Sequence, residues 1–223
     1  MSDCKNPTIA VIDSGIGGVS VLQQVIAKYK AGNFIYCADN LYMPYGNKTK
    51  IWLKKRITYL INLLKNHYNV DYIIIACNTA STTISDKEIS NVMCMRFNSD
   101  YKYFATNLTK KNMSKLNVIA DNTLAKQIEL HIFNKKKINE IIKRHIKSHK
   151  LNEENQFVLG CTHYELVQEI FKKHCPNSEV INNSSFVIKD LCFDITQDDL
   201  NVFITLTKKD LDLENKILKL IRS

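Results

Sequence analysis

Apolar and polar positions follow two patterns along the chain: short continuous apolar runs, and longer segments with apolar residues three and four positions apart. Buried strands produce the first pattern and amphipathic helices the second. The run Tyr72–Ala76 is typical of a strand buried on both faces of a parallel sheet. The predicted strands are 8–13, 33–37, 72–76, 92–95, 117–120, 156–160, 178–182 and 201–207. The predicted helices are 19–29, 49–69, 81–91, 135–150, 165–171, 210–222 and one that begins after Thr123. Because strands and helices alternate, we expect an α/β fold with mainly parallel sheets flanked by helices.

Three of these strands end in small polar side chains. In open α/β sheets, ligands bind just beyond the carboxyl ends of the strands. Cys77 stands at such an end, although a single free cysteine is usually just a small buried apolar residue. Cys161 follows another strand in the same way, and a third strand ends at Asp13 in a glycine-rich turn. The repeated pattern indicates two related half-sites that face each other.

The glycines support this interpretation. The chain has only six, and five of them lie in loops beside these polar residues, at Gly15, Gly17, Gly18, Gly46 and Gly160. Glycine is used where the backbone takes unusual dihedral angles or approaches a ligand closely. We therefore expect these loops to form the site.

Four short motifs identify a related family. They are Ile12–Val19 (IDSGIGGV), Pro44–Gly46 (PYG), Ala76–Ser81 (ACNTAS) and Gly160–Tyr164 (GCTHY). In these motifs and their order the chain resembles glutamate racemase, of the cofactor-independent aspartate/glutamate racemase superfamily. The resemblance is clear over residues 8–85 and 156–175, and poor between about 90 and 155.

The resemblance implies a racemase that interconverts L- and D-glutamate without a cofactor and supplies D-glutamate for peptidoglycan. It implies two pseudo-symmetric lobes with the active site between them, and a homodimer. The implied catalytic residues are Cys77, Cys161, Asp13 and His163. The implied substrate-binding residues are Ser14, Pro44, Tyr45, Gly46, Asn78, Thr79, Thr123 and Thr162.

The chemistry of these residue types agrees with racemisation. A proton must leave one face of the α-carbon and another must return to the opposite face, which two bases do most directly. A thiol suits this role because its pKa lies near 8.5 and its neighbours can lower it. His163 could assist Cys161, and Asp13 could assist Cys77 or bind the substrate ammonium group. Asp13 also fits the N-cap of the following helix, and the two roles are compatible.

The middle of the chain departs from the family pattern. The glycine- and threonine-rich turn of the second domain is reduced to Asp121–Thr123, where only Thr123 matches. The family's catalytic acidic residue, upstream of the second cysteine motif, has no clear counterpart among Glu140, Glu153 and Glu154. We expect one lobe formed by residues 1–90 and 184–223, and a shortened second lobe formed by residues 91–183.

Charge and cysteine spacing exclude several other classes. The formal net charge is +9, but the only arginines are Arg56, Arg96, Arg144 and Arg222, whereas nucleic-acid readers favour arginine. We therefore expect no nucleic-acid partner, and a positive field that steers a dicarboxylate toward the site. The seven cysteines include no C-x-x-C pair, which argues against a disulfide framework or a zinc ribbon.

Three further predictions concern metals, compartment and the remaining cysteines. His145 and His149 lie four residues apart, as metal ligands can, but no carboxylate is evident near them in sequence. We interpret them as part of a solvated helix face and expect no metal. The polar residues 1–7 and the lack of a long apolar run predict a cytoplasmic protein with no signal peptide or membrane span. The cysteines outside the motifs are interpreted as structural or incidental: Cys4, Cys37, Cys94, Cys175 and Cys192.

Two other functions remain open from the sequence. A non-catalytic relative would keep the pocket and bind an amino acid or a protein partner. Intact Cys77 and Cys161 count against that hypothesis, and the divergent middle counts for it. The second alternative is a racemase for aspartate or another small acidic amino acid.

Overall fold

The computed structural model describes residues 6–85 and 88–223. Cys4 and part of the predicted helix 81–91 lie outside these residues. Among the described residues, no helix has both the length and the apolar character that a membrane span requires. The strands are β1 (Thr8–Asp13), β2 (Gly32–Ala38), β3 (Tyr72–Ile75), β4 (Val92–Cys94), β5 (Lys102–Ala105), β6 (Asn117–Ala120), β7 (Gln156–Gly160), β8 (Glu179–Asn182) and β9 (Leu200–Leu206). The helices are α1 (Val19–Tyr29), α2 (Lys50–Tyr68), α3 (Asn78–Ser81), α4 (Asn107–Asn112), α5 (Leu124–His131), α6 (Lys135–His149), α7 (Thr162–Glu165), α8 (Gln168–His174), α9 (Ser185–Ile188) and α10 (Leu211–Ile221).

The first sheet has five parallel strands in the order β4-β3-β1-β2-β9. The apolar side chains of its central strands divide between two clusters, one covered by α1 and α10 and the other by α2. Ile12 of β1 is in register with Ile75 of β3. Asp13, the last residue of β1, therefore lies beside the residues that follow β3, and Cys77 is one of these.

The second sheet has four parallel strands in the order β6-β5-β7-β8. Ala105 at the end of β5 pairs with Ala120 on one side and Gly160 on the other. Asp121 and Cys161 therefore emerge at the same edge of this sheet. Two parallel sheets flanked by helices confirm the predicted fold class.

Two elements differ from the sequence prediction. Strand β5 was not predicted, because its short run from Lys102 to Ala105 follows polar residues and contains too few apolar positions to stand out. The helix predicted at 81–91 is wrong for the described residues, since α3 ends at Ser81 and turns follow. The hydroxyl groups of Thr82 and Thr83 donate hydrogen bonds of 2.7 Å to helix carbonyl groups three residues earlier. Such side chains compete with the helix and favour its end.

The second sheet begins after residue 94. Val92–Cys94 pairs with β3, so the first sheet extends past residue 90, where the sequence placed the boundary between the lobes. The division into lobes at residues 90 and 184 stays a prediction.

A buried carboxyl group joins elements that flank the two sheets. Glu165, in α7, accepts hydrogen bonds from the backbone N–H of Ser184 at 3.1 Å and from its hydroxyl group at 2.5 Å. Ser20 and Gln24 of α1 lie 3.5 Å from the same carboxylate. Burial raises the pKa of Glu165 to about 7, although these hydrogen bonds act to lower it. The contact between α1 and α7 therefore contains a carboxyl group that is protonated in mildly acidic solution.

Replacing Glu165 with glutamine should change how stability depends on pH. Between about pH 4.5 and 7 the native Glu165 holds a proton that the unfolded chain releases, so stability falls as the pH rises through this range. The variant lacks this loss, so at pH 8 its free energy of unfolding should exceed that of the wild type by up to about 3 kcal/mol. Near pH 4 the two should agree, as measured by urea unfolding at several pH values.

Glu169→Gln is the matched control, because Glu169 is exposed and pairs with Lys172, also at the surface, at 2.8 Å. It should leave the pH profile of the wild type unchanged. Equal pH profiles for Glu165→Gln and the wild type would contradict the prediction.

Candidate active site

The carboxyl ends of the two sheets enclose a cavity of about 430 Å³. Most of the predicted site residues line it: Ser14, Pro44, Tyr45, Gly46, Cys77, Asn78, Thr79, Cys161, Thr162 and His163. Side chains that were not predicted also line it, among them Met43, Thr106, Asp121 and Glu129. The cavity thus receives residues from both sheets and from the loop that contains Pro44.

Two predicted residues are not among those that line the cavity. Asp13 is fully buried behind it, where the Thr162 hydroxyl donates a hydrogen bond of 3.2 Å to its carboxylate. The backbone N–H of Gly15 donates another, of 3.0 Å. Thr123 lies beside Asp121, and its backbone N–H and its hydroxyl both donate hydrogen bonds to the Asp121 carboxylate. Asn122 lines the cavity in place of Thr123.

Cys77 follows β3 and precedes the short helix α3, in a buried position. Burial raises the pKa of its thiol well above the ordinary value, and the charge of Asp13 acts in the same direction. Hydrogen bonds from the backbone N–H groups of Ala80 and Thr79 only partly offset this. Cys77 is therefore a neutral thiol at neutral pH.

Cys161 has a different environment, because His163 and Glu129 lie beside it. His163 Nε2 is 2.5 Å from a carboxylate oxygen of Glu129, and both side chains are buried. Burial alone would lower the pKa of His163, but hydrogen bonds with Cys161 and Glu129, and the charge of Glu129, raise it well above its ordinary value. The imidazole is therefore held in its protonated form next to Cys161.

Glu129 is the functional residue that sequence reasoning missed. It lies upstream of the second cysteine motif, as the family pattern requires, whereas Glu140 is exposed and Glu154 pairs with Lys102 at 2.5 Å. Glu129 follows Ile128 on the buried side of α5. A carboxylate on the apolar side of a helix is unusual, and this was the one available indication in the sequence.

Asn78 offers an unused hydrogen-bond donor in the cavity wall. Its side-chain oxygen accepts a hydrogen bond of 2.5 Å from Asn183, and its side-chain nitrogen has no partner among the described residues. A buried N–H group without a partner costs roughly 1–3 kcal/mol. An anionic ligand in the cavity could accept from it and remove this cost.

Tyr45 is placed in the wall by a buried ion pair. Its hydroxyl donates to Asp39 at 2.6 Å, and Arg56 binds the same carboxylate through two nitrogens at 2.7 and 2.9 Å. Since the Tyr45 hydroxyl is already used, its ring and backbone form the cavity wall. The Asp39–Arg56 pair therefore positions this loop.

The interpretation of His145 and His149 as a solvated face is wrong. His145 Nδ1 lies 2.8 Å and His149 Nε2 lies 2.9 Å from the same oxygen of Asp121. The carboxylate comes from the end of β6, and sheet formation brings it to α6. This contact was not predicted because Asp121 lies 24 and 28 residues before the two histidines in the sequence.

The chain was then compared with known proteins. No protein-family model matched it. A glutamate racemase of Clostridium botulinum is 30% identical over 200 residues, which cover 77% of this chain and 76% of the relative. The glutamate racemase of Thermus thermophilus, solved in complex with β-chloro-D-alanine, superposes with a TM-score of 0.80 at 18% identity. The superposition covers 96% of this chain and 93% of the Thermus chain. The glutamate racemase of Escherichia coli, solved with L-glutamate and the activator UDP-MurNAc-ala, superposes with a TM-score of 0.74 at 20% identity. The superposition covers 97% of this chain and 96% of the Escherichia coli chain.

Fold, site and relatives agree on the class of protein, which is an amino-acid racemase. Each of its sheets contributes one cysteine to a shared cavity. The chain belongs to the glutamate racemase family.

The lack of a side chain at Gly17 should be essential for the contact between the glycine-rich turn after β1 and the loop that contains His163. A Cβ atom at this position would lie 2.6 Å from Nδ1 of His163 and 2.8 Å from its backbone nitrogen. Because a backbone atom cannot move aside easily, we expect Gly17→Ala to lower the free energy of unfolding by about 1–3 kcal/mol in urea titrations. Gly46→Ala is the matched control for stability, since among the described residues no atom outside Gly46 and its two chain neighbours lies within 4 Å of its Cβ position. Equal unfolding free energies for the two variants would contradict the prediction.

The pKa of His163 should depend on Glu129. Replacing Glu129 with glutamine removes the carboxylate that stabilises the imidazolium, so the pKa of His163 should fall toward its ordinary value. Histidine NMR titration measures this directly. The resonances of His174, whose Nε2 lies 3.0 Å from Asn139, serve as the internal reference and should not move. An unchanged titration of His163 would refute the assignment.

Proposed function

We propose that this protein interconverts L- and D-glutamate without a cofactor, through a two-base mechanism in which Cys77 and Cys161 each serve one face of the α-carbon. The observation that carries the proposal is the placement of these two free thiols in one cavity, each from a different sheet. The D-glutamate would serve peptidoglycan synthesis, a role that the resemblance implies.

The two thiols have the unequal environments that such a mechanism needs. At each turnover one cysteine must act as a thiolate base while the other donates a proton from its thiol. Burial and Asp13 raise the pKa of the Cys77 thiol, whereas the protonated imidazole of His163 lies beside Cys161. In one direction of the reaction Cys161 would remove the α-proton and Cys77 would return one. Turnover reverses the roles of the two groups.

Substrate carboxylates would be held by neutral donors. Ser14, Asn78 and Thr79 line the cavity from the first sheet, and the side-chain nitrogen of Asn78 has no hydrogen-bond partner among the described residues. Thr162 faces it from the second sheet, and its hydroxyl also donates to Asp13. The net charge of +9 would attract a dicarboxylate from solution.

The position of Glu129 favours a catalytic function over a function in binding alone. A relative that merely bound an amino acid would not need a buried carboxylate 2.5 Å from the histidine beside the second cysteine. Such a carboxylate costs free energy to bury, and its evident effect is to keep His163 protonated.

The proposal also includes a cytoplasmic location and a homodimer. Cys77 and Cys161 are both free thiols, which suits a thiol enzyme in the reducing cytoplasm. A homodimer, which the resemblance implies, stays a prediction.

The function is tested by deuterium exchange at the α-carbon in D₂O. The purified protein is incubated with each enantiomer of glutamate and of aspartate, and exchange and optical rotation are followed together. Exchange with loss of rotation for both glutamate enantiomers is the expected result. Faster exchange on aspartate would favour the alternative substrate, and exchange on no acidic amino acid would favour a binding protein.

The roles of the two cysteines are tested by single substitutions. Cys77→Ala and Cys161→Ala should each lower racemisation by about 10²–10⁴-fold or more, because each removes the base for one face. Each variant should still release a leaving group from the β-carbon of a suitable analogue, since elimination needs only one base. The two variants should accept analogues of opposite hand.

Cys192→Ala is the matched control, because Cys192 is exposed and does not line the cavity. It should racemise glutamate at the wild-type rate. The two-base proposal fails if either cavity variant keeps full activity, or if both process the same enantiomer.

A further inference from the structure

Asp121, which lines the cavity, forms a compact group with His145 and His149, which lie behind it. One donor atom from each side chain lies within 4.8 Å of those of the other two. Both histidine nitrogens face a single carboxylate oxygen, Oδ2 of Asp121, at 2.8 and 2.9 Å. The mechanism proposed above uses none of the three.

The fold holds these side chains firmly in place. His145 and His149 are one helical turn apart on α6 and share a face, with ring centroids 6.2 Å apart and planes inclined by only 21°. His149 also packs against the ring of Phe104, 5.2 Å away. Asp121 is 8% exposed, and its second oxygen accepts the backbone N–H groups of Thr123 and Leu124 at 2.7 and 2.8 Å. The fold therefore holds the three side chains close together, and only small shifts are needed for them to bind one ligand.

The three side chains bring different kinds of donor atom together. A carboxylate next to two imidazole nitrogens is a donor set of two nitrogens and one oxygen. Such donors suit zinc and its neighbours in the first transition row, whereas Ca²⁺ and Mg²⁺ require oxygen ligands.

We propose that Asp121, His145 and His149 bind a divalent transition-metal ion of the Zn²⁺ class, with solvent as the fourth ligand. A tetrahedral ion with bonds of about 2.0–2.1 Å needs donor atoms roughly 3.3 Å apart. The nitrogen–oxygen distances of 2.8 and 2.9 Å would therefore open by about half an ångström. Each imidazole would carry its hydrogen on the other ring nitrogen, since the coordinating nitrogen must be free of it.

The neighbouring basic residues do not block this site. Lys143, Arg144 and Lys147 are exposed on α6, whereas His145 and His149 are partly buried against Asp121. Exposed charges are screened by salt within about 8–10 Å at physiological ionic strength. The ion would join α6 to the start of α5, the helix that contains Glu129, and so stabilise the cavity wall from behind.

The site is tested with Co²⁺ and Zn²⁺ on the full chain after removal of bound metals by a chelator. Co²⁺ should produce the visible absorption bands of a tetrahedral nitrogen–oxygen site, and Zn²⁺ should displace it and raise the unfolding temperature. The informative variants are His145→Asn and His149→Gln. Asparagine places an N–H group near the Nδ1 position and glutamine near the Nε2 position, so each can keep the hydrogen bond to Asp121. Each variant should bind metal at least 10–100-fold more weakly than the wild type while remaining folded.

His174→Asn is the matched control, because His174 lies on α8 in the same half of the molecule and contacts Asn139 rather than Asp121. It should bind Co²⁺ like the wild type. The cavity cysteines are the competing ligands, and they would reveal themselves by the intense near-ultraviolet charge-transfer band of a cobalt–thiolate bond. The proposal is overturned if that band accounts for the bound metal. It is also overturned if His145→Asn and His149→Gln bind as tightly as the wild type, or if the wild type binds no metal.

Discussion

The close contact between the glycine-rich turn after β1 and the loop of the second cysteine holds the site together. Gly17 leaves the space in which the backbone of His163 sits, and Thr162 donates a hydrogen bond to Asp13 across the same contact. This contact holds the carboxyl ends of two separate parallel sheets facing each other. Because Cys77 and Cys161 stand at those ends, it sets the gap between them. A side chain at position 17 would push apart the two halves of the cavity.

Buried charge makes the two similar halves chemically different. On the side of Cys77, the buried carboxyl group of Asp13 and the loss of solvent both oppose a negative sulfur. On the side of Cys161, Glu129 stabilises a protonated imidazole, so a positive charge lies beside the sulfur. Between buried groups these interactions are much stronger than they would be at the surface. Two strand ends that look alike in sequence thus differ in the charges that surround their sulfur atoms.

Asp121 connects the cavity to the helices behind it. One of its oxygens accepts the first N–H groups of α5, and the other faces the two histidines of α6. The position and orientation of α5 fix Glu129, so a single carboxylate at the end of β6 contributes to the arrangement around Cys161. In a second sheet of only four strands, such polar contacts add to the apolar packing that holds the helices.

The sequence by itself determined every strand except β5, most helices and the loops that contain the cysteine motifs. Apolar runs such as Tyr72–Ile75 are decided by neighbouring residues, and the cysteine motifs follow them directly, so a local pattern is enough to find both. Tertiary structure alone decided the partners of residues far apart in the chain. Glu129 meets His163, and Asp121 meets His145, because sheet order and helix packing bring them together. Which face of a helix packs against which strand end depends on the whole core, and no short stretch of sequence contains that information.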